Sequence, residues 1–139
     1  MDTQETTLEP GDEQSTGLGQ IKVNHTVVAT IVKMAAQSVP GVIGVGGSFI
    51  ENVSALFSSK DYDKGVRVSE DEAGNYQIEI RVMMEYGVEL AKTAENLQMT
   101  ISKQVTNMTS KPVAGVDVII EGVKMSEEET KAEEELEEE

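Results

Sequence analysis

The chain has 139 residues, which is enough for one domain with a substantial core but short for two. It contains no cysteine, which excludes disulfides, thiolate metal sites and cysteine nucleophiles. Its net charge is −15, yet the acidity is concentrated at the ends, because residues 21–125 hold twelve acids against ten bases. Without a basic patch to release counterions from a phosphate backbone, nucleic acid is not an expected partner.

Both ends of the chain have the composition of disordered segments. Residues 1–19 are polar, acidic and interrupted by Gly and Pro, and residues 126–139 form a Glu-rich block. The start lacks the features of a signal peptide, and no apolar run is long enough to cross a membrane. The sequence predicts one folded domain over residues 20–125, in a cytoplasmic protein that does not insert into the membrane.

The first elements of the domain are a short strand and a helix. The stretch "QIKVN" alternates with Ile21 and Val23 on one face, as a strand does. Asn24 is a suitable N-cap for a helix that runs to about Ser38 and is stopped by Pro40. The predicted apolar stripe of this helix contains Val27, Val28, Ile31, Met34, Ala35 and Val39.

The glycine-rich stretch "VPGVIGVGG" that follows suggests either a phosphate loop or a strand that packs closely. Gly44 and Gly46 fit the first two positions of a dinucleotide fingerprint, but the third falls on Phe49, and no Gly-Lys-Ser/Thr occurs. We therefore expect a buried strand from Val42 to Val45 with glycines at points of close approach. No cofactor is predicted.

The rest of the chain alternates between strand and helix patterns. After a short amphipathic helix and a loop over 48–64, strands are expected at 65–69 and 76–86, joined by a turn. A helix of about 22 residues follows, and a final strand places Val116, Val118 and Ile120 on one side. The strand over 76–86 should bury Tyr76, Ile78, Ile80, Val82, Met84 and Tyr86, and the second helix Leu90, Ala94, Leu97, Ile101, Val105 and Met108.

The predicted elements repeat one unit twice: a strand, a helix, a turn with proline and glycine, and a second strand. This repetition predicts two helices on one face of a shared sheet. The expected fold is α+β and two-layered, a mixed β-sheet with two main helices packed on one face, in the order β-α-β-β-β-α-β.

No set of residues in the sequence has the pattern of a catalytic or metal site. His25 is the only histidine, and no pair of carboxylates is singled out for acid–base work. The strand over 76–86 instead turns Glu79, Arg81, Met83 and Glu85 to its polar side. A methionine among charged residues is consistent with a contact surface, so we expect these four residues, with the 48–64 loop, to bind a protein partner.

The motifs, taken in order, resemble the alkaline-shock, or envelope stress response, family of Gram-positive bacteria. The resemblance covers about residues 19–125 and is most specific at "VPGV", at Tyr86-Gly87 and in the final "GVDVIIEGV". It implies a small α+β domain without established catalytic activity. Some relatives are held at the membrane by a separate anchor protein, and others are encoded beside enzymes of fatty-acid metabolism.

The resulting expectation is a non-enzymatic envelope-stress-response protein that acts as a binding or scaffold module. Its partner is expected to be a membrane anchor protein or a second copy of the chain, and an anchor partner would hold it peripherally at the membrane. The alternative is a regulator that binds a small molecule, a lipid or acyl intermediate, in a cleft between the second helix and the sheet.

Overall fold

The structure, a computed structural model, describes residues 14–15, 17–46, 48–49 and 65–125. Two helices and a mixed sheet form an α+β two-layer fold, as the sequence predicts. The elements in chain order are β1 (Gln14–Ser15), β2 (Gln20–Ile21), α1 (His25–Gln37), β3 (Val42–Val45), β4 (Ser48–Phe49), β5 (Val66–Glu70), β6 (Tyr76–Glu85), α2 (Leu90–Thr109) and β7 (Val113–Lys124).

Strand β6 is the centre of the main sheet and is paired on both edges. β7 runs parallel to it along one edge, from the pair Tyr76 and Val113 to the pair Glu85 and Lys124. The other edge is shared by two antiparallel strands placed end to end, β5 beside the first half of β6 and β3 beside the second half. β4 extends the sheet beyond β3. Nearly every backbone hydrogen bond of the sheet therefore involves β6 or a strand next to it.

The core lies between the sheet and the two helices. Every second residue of β6 is buried, and these side chains pack against apolar residues of α1, α2, β3 and β7. Burying an aliphatic or aromatic side chain contributes roughly 1.5–3 kcal/mol, so this row is a major source of stability. The buried residues of β6 are Tyr76, Ile78, Ile80, Val82 and Met84, and those of α2 include Leu97, Ile101 and Val105.

Helix α1 begins and ends where the sequence predicts. The side chain of Asn24 accepts a hydrogen bond from the backbone N–H of Thr26 at 3.5 Å. At the other end Val42 N–H donates to Val39 O at 3.2 Å, and Gly41 has φ of 100°. Proline followed by a glycine of positive φ is the arrangement of a type II turn, which turns the chain directly into β3.

The first predicted strand does not join the main sheet. Gly17 and Gly19 have φ of 85° and 131°, and the chain turns back so that β2 pairs only with β1. Ile21 is consequently exposed. The predicted helix within 48–64 lies outside the described residues, apart from Ser48–Phe49, which form β4.

Five side chains predicted to be buried are exposed. Tyr86 is 71% exposed because β6 ends at Glu85 and the chain turns away at Gly87, whose φ is 102°. The others lie at the ends or flanks of the helices, where a neighbouring residue faces the core instead. They are Val27 and Met34 on α1 and Leu90 and Met108 on α2.

We predict that Gly41→Ala lowers the free energy of unfolding by about 2–3 kcal/mol, more than Gly87→Ala at about 1–2 kcal/mol. Both glycines have positive φ, but a Cβ on Gly41 would lie 3.1 Å from Thr93 Cγ2 and 3.3 Å from Val88 Cγ1, whereas one on Gly87 meets nothing within 4 Å. Urea denaturation followed by circular dichroism measures both losses. Equal losses would show that crowding of the new Cβ against Val88 and Thr93 adds nothing to the cost of Gly41→Ala.

Candidate functional site

The four side chains predicted as a contact surface lie in one row on the outer face of β6. They alternate with the buried residues, and at about 3.3 Å per residue successive members are roughly 7 Å apart. The Arg81 side chain is 46% exposed and the Glu79 side chain 31% exposed, while Met83 and Glu85 are half-buried. The structure thus brings all four together, and their role in binding a partner stays a prediction.

Arg81 marks the point where β3 and β5 meet end to end along β6. Its backbone O accepts from Gly46 N–H at 2.9 Å, and its N–H donates to Gly65 O at 2.8 Å. A Cβ on Gly65 would come within 2.5 Å of Gly46 N, so the two strand ends approach too closely for a side chain. Gly46, from the "GVGG" stretch, therefore lies at a point of close approach between strands, as the sequence indicates, and its hydrogen bond helps to fix the backbone of Arg81.

The Arg81 guanidinium lies between two carboxylates. Its Nη1 is 3.4 Å from Glu121 Oε2 and its Nε is 3.6 Å from Glu79 Oε2. Glu121 reaches this position because it is the extra residue in a β-bulge of β7, between the pairs Val82 with Ile120 and Met83 with Gly122. Such exposed pairs add about 0–1 kcal/mol of stability. The two carboxylates therefore contribute little to the stability of the fold, and their main effect is to hold the Arg81 guanidinium in one orientation.

An apolar spot adjoins this charged group. Met83 lies over the neighbouring strand at Gly122, where an added Cβ would be 2.7 Å from the methionine methyl carbon. Ile119, paired with Arg81 across the two strands, is 39% exposed on the same face. The outer face therefore combines a small apolar centre with charged surroundings, the general anatomy of a protein contact surface.

A second cluster of polar groups, which the sequence reasoning missed, lies at the opposite end of β6. The Lys111 side chain is 4% exposed, and its Nζ is 2.7 Å from Glu70 Oε1 and 4.6 Å from the centre of the Tyr76 ring. His25 Nε2 is 2.8 Å from Glu70 Oε2. These residues come from four separate segments, so sequence spacing carries no sign of the cluster. It ties together the start of α1, the hairpin of β5 and β6, and the connection from α2 to β7.

The cluster has the contacts of a structural tie, and its groups do not form a metal site. Within the described part of the chain, no three His, Cys, Asp or Glu side chains are placed to hold a metal ion. The hydrogen bond from Lys111, and after it the one from His25, lowers the pKa of Glu70 below its usual value of 4.5. An ionised Glu70 is therefore the stable state in the fold.

A groove in the helix layer is the third feature, and it was also missed. It lies between α1 and α2, has a volume of about 650 Å³, and is lined mainly by apolar and hydroxyl side chains, among them Val27, Met34 and Met108. The apolar residues of α1 could have indicated this groove from the sequence alone. Helix α1 also carries Val28, Val32 and Ala36, so its apolar arc is wider than one buried face requires.

The fold and these surfaces define the class to which the chain belongs: a two-layer α+β domain with one face of its sheet uncovered by the helices. Neither described helix is long and apolar enough to cross a membrane. A sequence match over residues 13–125 identifies the family itself. The chain belongs to the alkaline shock protein 23 family, which has a cell envelope-related function.

Individual relatives agree with this assignment. The chain is 30% identical over 123 residues to the uncharacterized protein YqhY of Bacillus subtilis, covering 88% of each. It is 28% identical to a stress response regulator gls24 homolog of Streptococcus pyogenes, covering 79% of this chain and 62% of that one. A solved MamM CTD variant aligns with 70% of the chain at 16% identity and a TM-score of 0.43, and no functional inference follows from that likeness.

We predict that Glu70→Gln lowers the free energy of unfolding at pH 7 by about 1–2 kcal/mol, because the buried Lys111 ammonium and the exposed His25 ring lose their ionised partner. Since the folded-state pKa of Glu70 is lowered, its contribution is complete above pH 4.5 and is lost as the pH falls through the folded-state pKa. The difference between wild type and variant should therefore shrink below pH 4.5.

Denaturant titrations from pH 7 downward measure this difference. Glu72→Gln, in the exposed turn two residues further on, is the matched control and should leave stability nearly unchanged at each pH. A Glu70→Gln effect that is the same at every pH would contradict the role assigned to the ionised carboxylate.

Proposed function

We propose that this member of the family is a non-enzymatic binding module whose outer sheet face contacts another protein of the cell envelope stress response. The observation that carries the proposal is the row of Glu79, Arg81, Met83 and Glu85. Its backbone is fixed by strand pairing on both edges of β6. A contact surface built on paired strands is already rigid, so binding costs little conformational entropy.

The charges of this face define the partner that it fits. Around Met83 and Ile119 lie the carboxylates of Glu79, Glu85, Asp117 and Glu121 and the bases Arg67, Arg81 and Lys124. Acids and bases are nearly balanced on this face, so a complementary surface carries charges of both signs around an apolar centre, with an acidic group opposite Arg81. The contact is expected to weaken with added salt, because its charges are exposed.

A protein partner also fits the proposed location better than a lipid surface does. With a net charge of −15, the chain would be repelled by a membrane of anionic lipids. This repulsion supports the proposal that the protein is cytoplasmic and reaches the membrane only through an anchoring partner.

The small-molecule alternative has no such supporting observation. The predicted position, between α2 and the sheet, corresponds to a depression of about 540 Å³ beside β7. Its described lining combines the polar Gln98, Lys103 and Asn107 with apolar residues, among them Met99, Val113 and Val116. Binding of a lipid or acyl intermediate stays a prediction.

Two charge-changing substitutions test the sheet face directly. Arg81→Glu and Met83→Glu are each expected to reduce capture of the wild-type partner from a lysate of the source bacterium by about tenfold or more, since each places an unpaired charge in the contact. The readout is quantitative mass spectrometry of proteins retained by the immobilised full-length chain.

The matched controls are Lys92→Glu and Met99→Glu, the same kinds of change at exposed positions of α2. They should retain the partner, and all four variants should keep the wild-type circular dichroism spectrum. Undiminished capture by folded Arg81→Glu and Met83→Glu chains would remove the sheet face from the proposal.

A further inference from the structure

The edge of β7 that points away from β6 carries backbone groups without a strand partner. β7 has 12 residues and, among the described strands, pairs with β6 alone. Val116 O points away from β6, since it accepts a hydrogen bond from Gln98 Nε2 at 2.9 Å. Alternate residues of a paired strand turn their N–H and C=O to the same edge, and the pairing with β6 is regular from Gly115 to Ile120. Val118 and Ile120 therefore present two N–H and two C=O groups for which the described residues offer no partner.

The composition of β7 is that of a strand inside a sheet. Strands that are covered on both faces are rich in Val, Ile and Leu without alternation. β7 contains such a run, formed by Val116, Val118, Ile119 and Ile120. The side chains of Ile119 and Val123 are 39% and 41% exposed. β5, whose far edge is also unpaired within the described residues, has only five residues and exposes polar side chains. Of these two edges, β7 is the one that would gain more from being covered.

Two acidic side chains flank the apolar centre of this edge. Asp117 and Glu121 lie on the outer face on either side of Ile119, and each is oriented by a side chain of β6. Gln77 Nε2 donates to Asp117 Oδ2 at 3.2 Å, and Arg81 Nη1 donates to Glu121 Oε2 at 3.4 Å. A strand added to this edge would set its own side chains opposite these carboxylates, where opposite charges stabilise the pair and like charges destabilise it. A second copy of β7, paired antiparallel about Ile119, would set Asp117 against Glu121, so the charges favour a different segment.

We propose that β7 binds an extended segment of the partner protein as an added strand. On its outer side this segment carries two basic residues that flank an apolar one, and on its inner side it carries apolar residues. In such strand addition the main chain supplies affinity, here through Val118 and Ile120, and alternate side chains supply specificity. The inference rests on the proposed function, because it says which part of the partner lies beside the outer sheet face.

A synthetic peptide with this pattern, acetyl-Thr-Lys-Val-Ile-Val-Lys-Thr-amide, is the probe. Added at up to about 2 mM to the ¹⁵N-labelled full chain, it should shift the amide signals of Val118 and Ile120 and slow their hydrogen exchange about threefold or more. N-methylation of both valines removes the donors that would face β7, and it should weaken binding about tenfold or more. Glutamate in place of both lysines should weaken binding about fivefold or more.

Charge reversal on the chain tests the same pairing from the other side. Asp117→Lys combined with Glu121→Lys should weaken binding of the lysine peptide about fivefold or more and strengthen that of the glutamate peptide by a similar factor. The matched control is Glu72→Lys combined with Glu89→Lys, the same change in net charge at exposed positions outside β7. At about 0.15 M NaCl this control should change the ratio of the two affinities by less than about twofold, because exposed charges far from the edge are screened.

Three results would overturn the inference. One is that the amide signals of Val118 and Ile120 stay in place at about 2 mM lysine peptide. Another is that the peptide with N-methylated valines binds as well as the unmodified one. A third is that exchange of these two amides slows as the chain alone is concentrated, which would assign the edge to a second copy.

The sheet-face proposal and this inference can fail separately. Capture by the Arg81→Glu and Met83→Glu chains tests the sheet face and makes no use of the peptide. If capture depends on Arg81 and Met83 while the amides of Val118 and Ile120 do not respond to the peptide, the sheet-face contact remains and the added strand is rejected. If the peptide protects these amides while capture is undiminished, the added strand remains as a contact of its own.

Discussion

The backbone hydrogen bonds of β6 are the constraint on which the rest of the structure depends. One edge of this strand pairs with β7 over its whole length, and the other pairs with β5 and β3, which meet at Arg81. That meeting is possible because Gly65 has no side chain to separate it from Gly46 at the end of β3. With both edges occupied, the alternation of β6 fixes which side chains enter the core and which face outward.

The two outward-facing surfaces of the fold differ in their electrostatics. The sheet face carries Arg81 between Glu79 and Glu121, next to the apolar pair Met83 and Ile119. The helix face has the groove, whose described lining is uncharged. The two faces therefore differ in chemistry: the sheet face has charged groups around a small apolar centre, and the described lining of the groove is uncharged.

Local patterns in the sequence were sufficient to predict much of the fold. The period-two alternation over 76–86 predicted β6, which ends one residue earlier, and its outer row, and Asn24 and Pro40 marked the limits of α1. These features depend on residues close together in the chain, so periodicity and capping reveal them. The confirmed family assignment adds the cell envelope-related function, which periodicity alone does not supply.

What the sequence did not reveal depends on distant residues. Lys111, Glu70 and His25 meet only after the sheet forms, and β2 leaves the sheet because the glycines before it turn the chain back toward β1. Assigning Val27 and Met34 to the core treated every apolar position of α1 as one stripe. The core has room for only part of that arc, and the remainder forms the rim of the groove.

The most direct test of the proposed sheet-face contact is an NMR spectrum of ¹³C-labelled methionine methyl groups, recorded for the full chain before and after addition of the protein that it captures from a lysate of the source bacterium. Met34 and Met108 report on the groove, Met83 on the sheet face, Met99 on the exposed side of α2 and Met84 on the core. Contact through the sheet face predicts that the Met83 signal shifts on addition of that protein while those of Met34, Met84, Met99 and Met108 stay in place. A shift of the Met34 and Met108 signals with Met83 unmoved would contradict it.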